Sequence, residues 1–195
     1  MVWQLISEIE DYARINNIPI MLKDGIDFLT KYIKENNIKN ILEIGSAIGY
    51  SSIKMALVSD DIKVTTIERD KERYEMALEN IKKFNLEDRI NVIYSDAFDV
   101  LLDGKYDLIF IDAAKSQYTK FFIKFSKNLD QNGVIISDNL DFHGLTKLDK
   151  TEIKNRNTRQ LVRKINEYVE FLKNNEEFDT KFISIGDGIG ISKRK

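Results

Sequence analysis

Apolar and polar positions alternate along this chain in two periods. Short apolar runs of strand length are separated by longer stretches whose apolar residues recur every three or four positions. The first kind predicts strands at Asn40–Ile44, Ile62–Ile67, Ile90–Tyr94, Tyr106–Ile111 and Gly133–Ser137. The second predicts helices over Leu5–Ile15, Gly25–Asn36, Tyr50–Ser59, Lys71–Phe84, Tyr118–Leu129 and Asn157–Asn174. The inward positions are Leu5, Ile9, Tyr12 and Ala13 in the first helix and Ile26, Leu29, Tyr32 and Ile33 in the second. In the Lys71–Phe84 helix they are Tyr74, Ala77, Leu78 and Ile81. Near the end, Lys181–Ile185 and Ile189–Ser192 flank Gly186-Asp187-Gly188, which reads as an antiparallel hairpin on a tight turn. Strands alternating with helices specify an α/β fold. The prediction is a Rossmann-like, seven-stranded, mostly parallel sheet with a C-terminal antiparallel hairpin and helices on both faces, formed by residues 1–195 as a single domain.

Two of the predicted strands end in unusual chemistry. Ile109-Phe110-Ile111 runs into Asp112, with Lys115 three residues on, and Val134-Ile135-Ile136-Ser137 runs into Asp138-Asn139. In a parallel sheet the carboxyl ends of neighbouring strands open on one crevice. Two carboxylates and an amide oxygen gathered there form a hard-oxygen site suited to Mg²⁺. Lys115 beside them can move a proton or hold a substrate anion. Each feature alone has a plainer reading: Asp112 could cap the following turn, and Asp138-Asn139 could only make one. Their coincidence favours an enzyme with a metal.

The loop Glu43-Ile44-Gly45-Ser46-Ala47-Ile48-Gly49 joins the first strand to its helix. Its spacing is neither the dinucleotide G-x-G-x-x-G nor a G-K-[ST] phosphate loop. A ligand with a carboxylate, an amine and a ribose suits it better than a pyrophosphate. Glu68 ends the second strand, where an acid accepts from ribose hydroxyls, and Ser95-Asp96-Ala97 ends the third, placed to border a purine.

Composition narrows the alternatives. The chain has 195 residues, of which 43% are apolar, so it can bury a sizeable core. It has no cysteine, which excludes a disulfide framework, a thiolate metal site and a cysteine nucleophile. No apolar run approaches the length needed to span a bilayer, and Met1-Val2-Trp3-Gln4 does not resemble a signal peptide. A cytoplasmic protein is expected. With 30 basic and 32 acidic residues, the total charge predicts no polyanion partner. Local charge does: between Gly144 and Lys164 stand Lys147, Lys150, Lys154, Arg156, Arg159, Arg163 and Lys164 against only Asp149 and Glu152. Such a patch could follow phosphates, although charged helix faces are often simply solvated. Tyr118, Phe121 and Phe142 could stack an everted base, and Phe121 could equally be core. The lone histidine, His143, is more readily a loop residue than a substrate contact.

Taken together, Glu43-x-Gly45-x-x-x-Gly49-Tyr50-Ser51, Glu68, Asp96-Ala97, Asp112-Ala-Ala-Lys115 and Asp138-Asn139 resemble the class I, metal-dependent S-adenosylmethionine O-methyltransferases of the catechol and caffeoyl-CoA type. The resemblance runs from about Pro19 to Lys193. Within that group the chain looks most like the bacterial tRNA 5-hydroxyuridine methyltransferases, through Pro19-Ile20-Met21, Ile41–Ser51, Ile111–Tyr118 and Gly186–Lys193. The resemblance implies that Glu43, Gly45 and Ser51 hold the amino-acid end of S-adenosylmethionine and that Met21 lies near its sulfonium. It implies Glu68 for the ribose, Asp96 and Ala97 for the adenine, and Asp112, Asp138 and Asn139 for Mg²⁺. Asp112 would also lie close to the cofactor, and Lys115 would be the catalytic lysine. It further implies tRNA as substrate, bound through Lys147, Lys150, Lys154, Arg156, Arg159 and Arg163, and a homodimer. A small phenol as substrate, or a non-catalytic cofactor-binding module, are the alternatives. Family members commonly carry a longer N-terminal segment than this chain has.

Overall fold

The structure, a computed structural model, describes residues 2–141, 144–148 and 152–195. The helices are α1 (Val2–Ile15), α2 (Lys23–Glu35), α3 (Tyr50–Ala56), α4 (Lys71–Lys83), α5 (Tyr118–Ser126) and α6 (Arg156–Lys173). The strands are β1 (Asn40–Ile44), β2 (Lys63–Glu68), β3 (Ile90–Tyr94), β4 (Tyr106–Ile111), β5 (Leu129–Ser137), β6 (Phe178–Ile183) and β7 (Ile189–Arg194). They form one sheet in the order β3-β2-β1-β4-β5-β7-β6. Pairing is parallel from β3 to β5 and antiparallel at β5–β7 and β7–β6. This is the Rossmann-like arrangement predicted from the alternation of strands and helices.

Alternate strand residues feed two cores. Ile41, Leu108, Phe110, Val134 and Ile136 meet α1, α2 and α3 on one face. Leu42, Ile44, Ile109, Ile111 and Ile135 meet α5 and α6 on the other. Both faces being covered, the central strands read as continuous apolar runs. The second core is aromatic: Phe122 touches Tyr168, Phe171 and Phe178 edge-on, with ring centroids 6.3, 5.4 and 5.0 Å apart.

Several boundaries and facings differ from expectation, each for a physical reason. Tyr12 and Leu78 are exposed, and the buried positions are Ile6 and Asn80. Asn80 donates to the Ile48 carbonyl at 2.9 Å, so an amide takes a core-facing position that apolar periodicity cannot assign. Helix α3 stops at Ala56 because Arg89 donates to the carbonyls of Ala56 and Ser59 at 2.8 and 2.7 Å, closing its end. Helix α5 stops at Ser126, and Asn128 turns away to donate to Leu102 and Gly104. Strand β5 begins four residues earlier than predicted, its outer part hidden by the exposed polar run Asp130-Gln131-Asn132. No helix lies between β3 and β4, which a loop connects. Among the described residues no helix is long and apolar enough to cross a membrane.

The order of strand addition reverses between β1 and β4: the sheet grows outward through β2 and β3, then restarts on the other side of β1. Ligands of such sheets bind at that switch point. The loops there are level. Gly45 donates to the Ile67 carbonyl, Asp112 to Ile44 and Asp138 to Ile111, at 3.0, 3.1 and 3.2 Å.

Replacing Phe122 by Ala should lower unfolding free energy by about 3–5 kcal/mol, the usual loss for a large buried ring. Urea denaturation followed by far-ultraviolet dichroism measures it.

Candidate active site

A cleft of about 520 Å³ opens at the switch point. Gly45 from the β1–α3 loop, Ser51 from the first turn of α3, Glu68 from β2, Asp96 and Ala97 after β3, and Asp112, Lys115 and Asn139 after β4 and β5 all line it, as does Met21 ahead of α2. Two of the sequence-chosen residues stand behind the wall. Glu43 has no exposed surface and Asp138 has 1%.

The glycine loop needs its glycines. Gly45 has a φ of 97°, and a Cβ there would run into the Asp112 carbonyl. Behind the loop, Ser51 donates to one Glu43 carboxylate oxygen at 2.5 Å, and Ser52 donates to the other. Burial pushes the Glu43 carboxyl up to about 7, opposed by the two serine hydroxyls and reinforced by the charge of Asp112. Glu43 therefore reaches the cleft through Ser51.

Glu68 is held by backbone amides. Its carboxylate accepts from Ala47 at 2.9 Å, Arg69 at 2.9 Å and Asp70 at 2.8 Å, which fixes it at the cleft floor with lone pairs to spare. Asp96 is also engaged: one oxygen accepts from the Phe98 amide at 2.9 Å, and the other lies 3.6 Å from Arg69. It shapes its loop as an Asx turn and sets Phe98 at the mouth.

Asp112 and Asp138 are paired acids. Burial raises the Asp112 carboxyl, and the nearby Lys115 charge draws it back down. Burial first, and Asp112 second, push Asp138 up to about 7. One Asp138 oxygen accepts from the Asn139 side chain at 3.0 Å, while Oδ1 is buried with no hydrogen-bond partner. Asn139 adopts a φ of 59°, a conformation that asparagine tolerates better than most residues. An orphaned buried carboxylate oxygen, a second raised carboxyl and an adjacent amide suit a divalent hard cation. Among the described residues no three acids or histidines gather as ligands, so the set rests on two acids and the amide.

Three groups escaped the sequence reading. Asp187 is buried in the hairpin turn, and its charge bears on Asp138 and on Tyr118. Its carbonyl accepts from the Asp141 amide at 2.8 Å, so the turn props up the loop that follows Asn139. Ser46, 2% exposed, and Gln117 line the cleft with unpartnered oxygens. Nothing in their spacing marks them. Tyr118 is fully buried against Tyr168, 5.4 Å between centroids, and cannot stack a base. Phe121 is buried and also borders the cleft. Phe142 and His143 lie outside the described residues, as does Lys150.

Residues 4–195 match the family model described as O-methyltransferase. The chain belongs to the O-methyltransferase family. A caffeoyl-CoA O-methyltransferase of Populus kitakamiensis is 30% identical over 94% of this chain and 81% of its own length. A crystal structure from Staphylococcus aureus, named as a candidate caffeoyl-CoA O-methyltransferase, has 39% identity and a TM-score of 0.93, covering 97% of this chain and 92% of that one. A Bacillus cereus O-methyltransferase crystallised with S-adenosylhomocysteine has 25% identity and a TM-score of 0.83, covering 98% and 91%. As a family member this chain is an S-adenosylmethionine-dependent O-methyltransferase.

Glu43 gives a pH prediction. Its folded value lies above that of a free carboxyl, so the folded state binds the extra proton. Stability should fall as pH rises from about 4.5 to about 7 and then level off. Glu43→Gln should lack this loss, and its advantage over the wild type should grow by up to about 3 kcal/mol across the window. Denaturant titrations of both proteins at pH 5 and pH 8 measure the difference.

Proposed function

We propose that this enzyme is a Mg²⁺-dependent methyltransferase acting on one of two adjacent oxygens of a planar ring, and that its substrate is 5-hydroxyuridine in the tRNA anticodon loop. The observation that carries the reading is the set of Asp112 and Asn139, which line the same cleft as the Gly45 loop and Lys115, with Asp138 just behind them and its Oδ1 unpartnered. In this reading Gly45 and Ser51, with Glu43 behind, hold the amino-acid end of S-adenosylmethionine. Met21 lies by the sulfonium, Glu68 accepts from the ribose, and Ala97 borders the adenine.

Asp112, Asp138 and Asn139 would hold the cation, which when bound supplies Lewis-acid chemistry toward the two substrate oxygens. In 5-hydroxyuridine these are the 5-hydroxyl and the neighbouring carbonyl oxygen. The hydroxyl oxygen attacks the methyl carbon in line with the carbon–sulfur bond, which breaks to leave S-adenosylhomocysteine. Lys115 takes up the hydroxyl proton or holds the oxyanion while that bond forms. Most of the rate comes from positioning.

The RNA reading is supported by exposed Lys154 and Arg156 near the metal loop. It is weakened by what the other basic residues do. Arg159 donates to the carbonyls of Ile153 and Lys154 at 2.6 and 2.9 Å, and Arg163 and Lys164 share Glu167 at 3.4 and 2.8 Å. The names of the plant relatives, which include a flavonoid 3',5'-methyltransferase of Vitis vinifera at 31% identity, favour a second reading in which the substrate is a small catechol-like phenol.

Asp138→Ala should lower Mg²⁺-stimulated turnover by about a hundredfold or more while the protein still binds S-adenosylmethionine. Full activity of this variant in excess chelator would defeat the metal assignment. For the substrate, tRNA nucleosides from a deletion strain should show accumulated 5-hydroxyuridine and lost 5-methoxyuridine by mass spectrometry. Unchanged tRNA, together with turnover of a free catechol by the purified enzyme, would establish the phenol reading instead.

A further inference from the structure

We propose that the Gly186-Asp187-Gly188 turn of the C-terminal hairpin sets the cation affinity of the site, with Gly188 as its positioning residue. This deepens the Mg²⁺ reading given above and rests on it. The turn joins β6 to β7, and none of its three residues lines the cleft. Its influence runs through the backbone on which the cation side chains stand.

Asp138 and Asn139 sit in a short excursion held at both ends. Before it, β5 pairs with β7 through Ser137 and Gly190. After it, Leu140 donates to the Gly188 carbonyl at 2.9 Å and Asp141 to the Asp187 carbonyl at 2.8 Å. Between these attachments Asn139 takes a φ of 59°. An excursion this short cannot shift Asp138 or Asn139 without disturbing one attachment or the other.

The turn has little room to give way. A Cβ built on Gly188 would lie 2.7 Å from the Asp141 nitrogen and 2.9 Å from the Asp141 Cβ. On the turn's other side, a Cβ on Gly186 would lie 3.2 Å from the nitrogen and from the Cα of Gly25, so the turn is pressed against the start of α2. Bulk added at Gly188 therefore pushes Leu140 and Asp141 outward, and the displacement reaches Asp138 and Asn139. Mg²⁺ demands near-ideal octahedral geometry, so misplacing its oxygens lowers affinity even when every ligand is still present. By linkage, a bound cation should tighten the attachment in return.

Mg²⁺ titration calorimetry on the purified protein with S-adenosylhomocysteine bound tests the proposal. Gly188→Ala should bind Mg²⁺ about tenfold or more weakly than the wild type. Gly144→Ala is the matched control: its φ of 78° resembles the 84° of Gly188, but a Cβ there meets nothing within 4 Å. That variant should bind Mg²⁺ as the wild type does, and both variants should keep their affinity for S-adenosylhomocysteine. In the wild type itself, Mg²⁺ should slow hydrogen exchange of the Leu140 and Asp141 amides about tenfold or more. Exchange of the Lys195 amide, which donates to Glu177 at the far end of the hairpin, should not change. Unchanged Mg²⁺ affinity in Gly188→Ala, an equal loss in Gly144→Ala, or unchanged exchange of the two amides in a wild type that binds Mg²⁺ would overturn the proposal. If Gly188→Ala does not fold, the wild-type exchange decides. A wild type that takes up no Mg²⁺ at all would overturn the cation reading, and the proposal with it.

Discussion

Everything at the working end of this protein depends on keeping carboxylates out of water. Glu43, Asp112 and Asp138 stand at or just past the ends of three adjacent central strands, where helices cover both sheet faces. Burial there makes each charge expensive, and each is answered differently. Glu43 is answered by two serine hydroxyls from the helix that its own loop begins. Asp112 is answered by Lys115, and Asp138 is left with an oxygen that has no protein partner. The gradient from satisfied to unsatisfied runs across the sheet from the donor loop toward β5. That gradient is the ground, independent of resemblance, on which a cation beside Asp138 is proposed.

Much of this was legible in the chain. An apolar run that ends in an acid announces both a buried strand and a group that cannot be there for packing, which is why Asp112 and Asp138 stood out. The glycines of the first loop were equally readable, because Gly45 occupies a backbone conformation that a side chain would obstruct. The fold class followed from the alternation of periods, and β1 to β4 fell close to their apolar runs, whereas β5 and β6 begin earlier than predicted, in polar sequence at Leu129 and Phe178.

The remainder was hidden because it depends on partners distant in sequence. Asp96 looks like a ligand residue by position, and it lines the cleft while also bonding a backbone amide two residues on and facing Arg69, contacts that its spacing does not announce. Asp187 looks like a turn residue, and it is one, but the turn is buried beside Asp138. Gln117 has no periodicity or motif to mark it, and only the absence of a donor near its oxygen makes it conspicuous. Asn80 sits on a core-facing helix position because one carbonyl, that of Ile48, waits for it. Apolar periodicity counts residues and cannot see such pairings. For the same reason apolar and charge patterns did not reveal that Arg159 bonds the carbonyls of Ile153 and Lys154 and that Arg163 and Lys164 share Glu167.

The placement of β7 between β5 and β6 has a consequence for synthesis. The strand emerges after β6, yet it occupies the interior position against β5 through Val134–Lys193 to Ser137–Gly190. The turn before it holds Leu140 and Asp141 by their amides. A nascent chain on the ribosome therefore carries β5 as an open edge, and the loop bearing Asp138 has no prop until β7 arrives. The catalytic end of the molecule is completed last, so the half-made polypeptide offers an unpaired sheet margin that invites association with its neighbours on the same message.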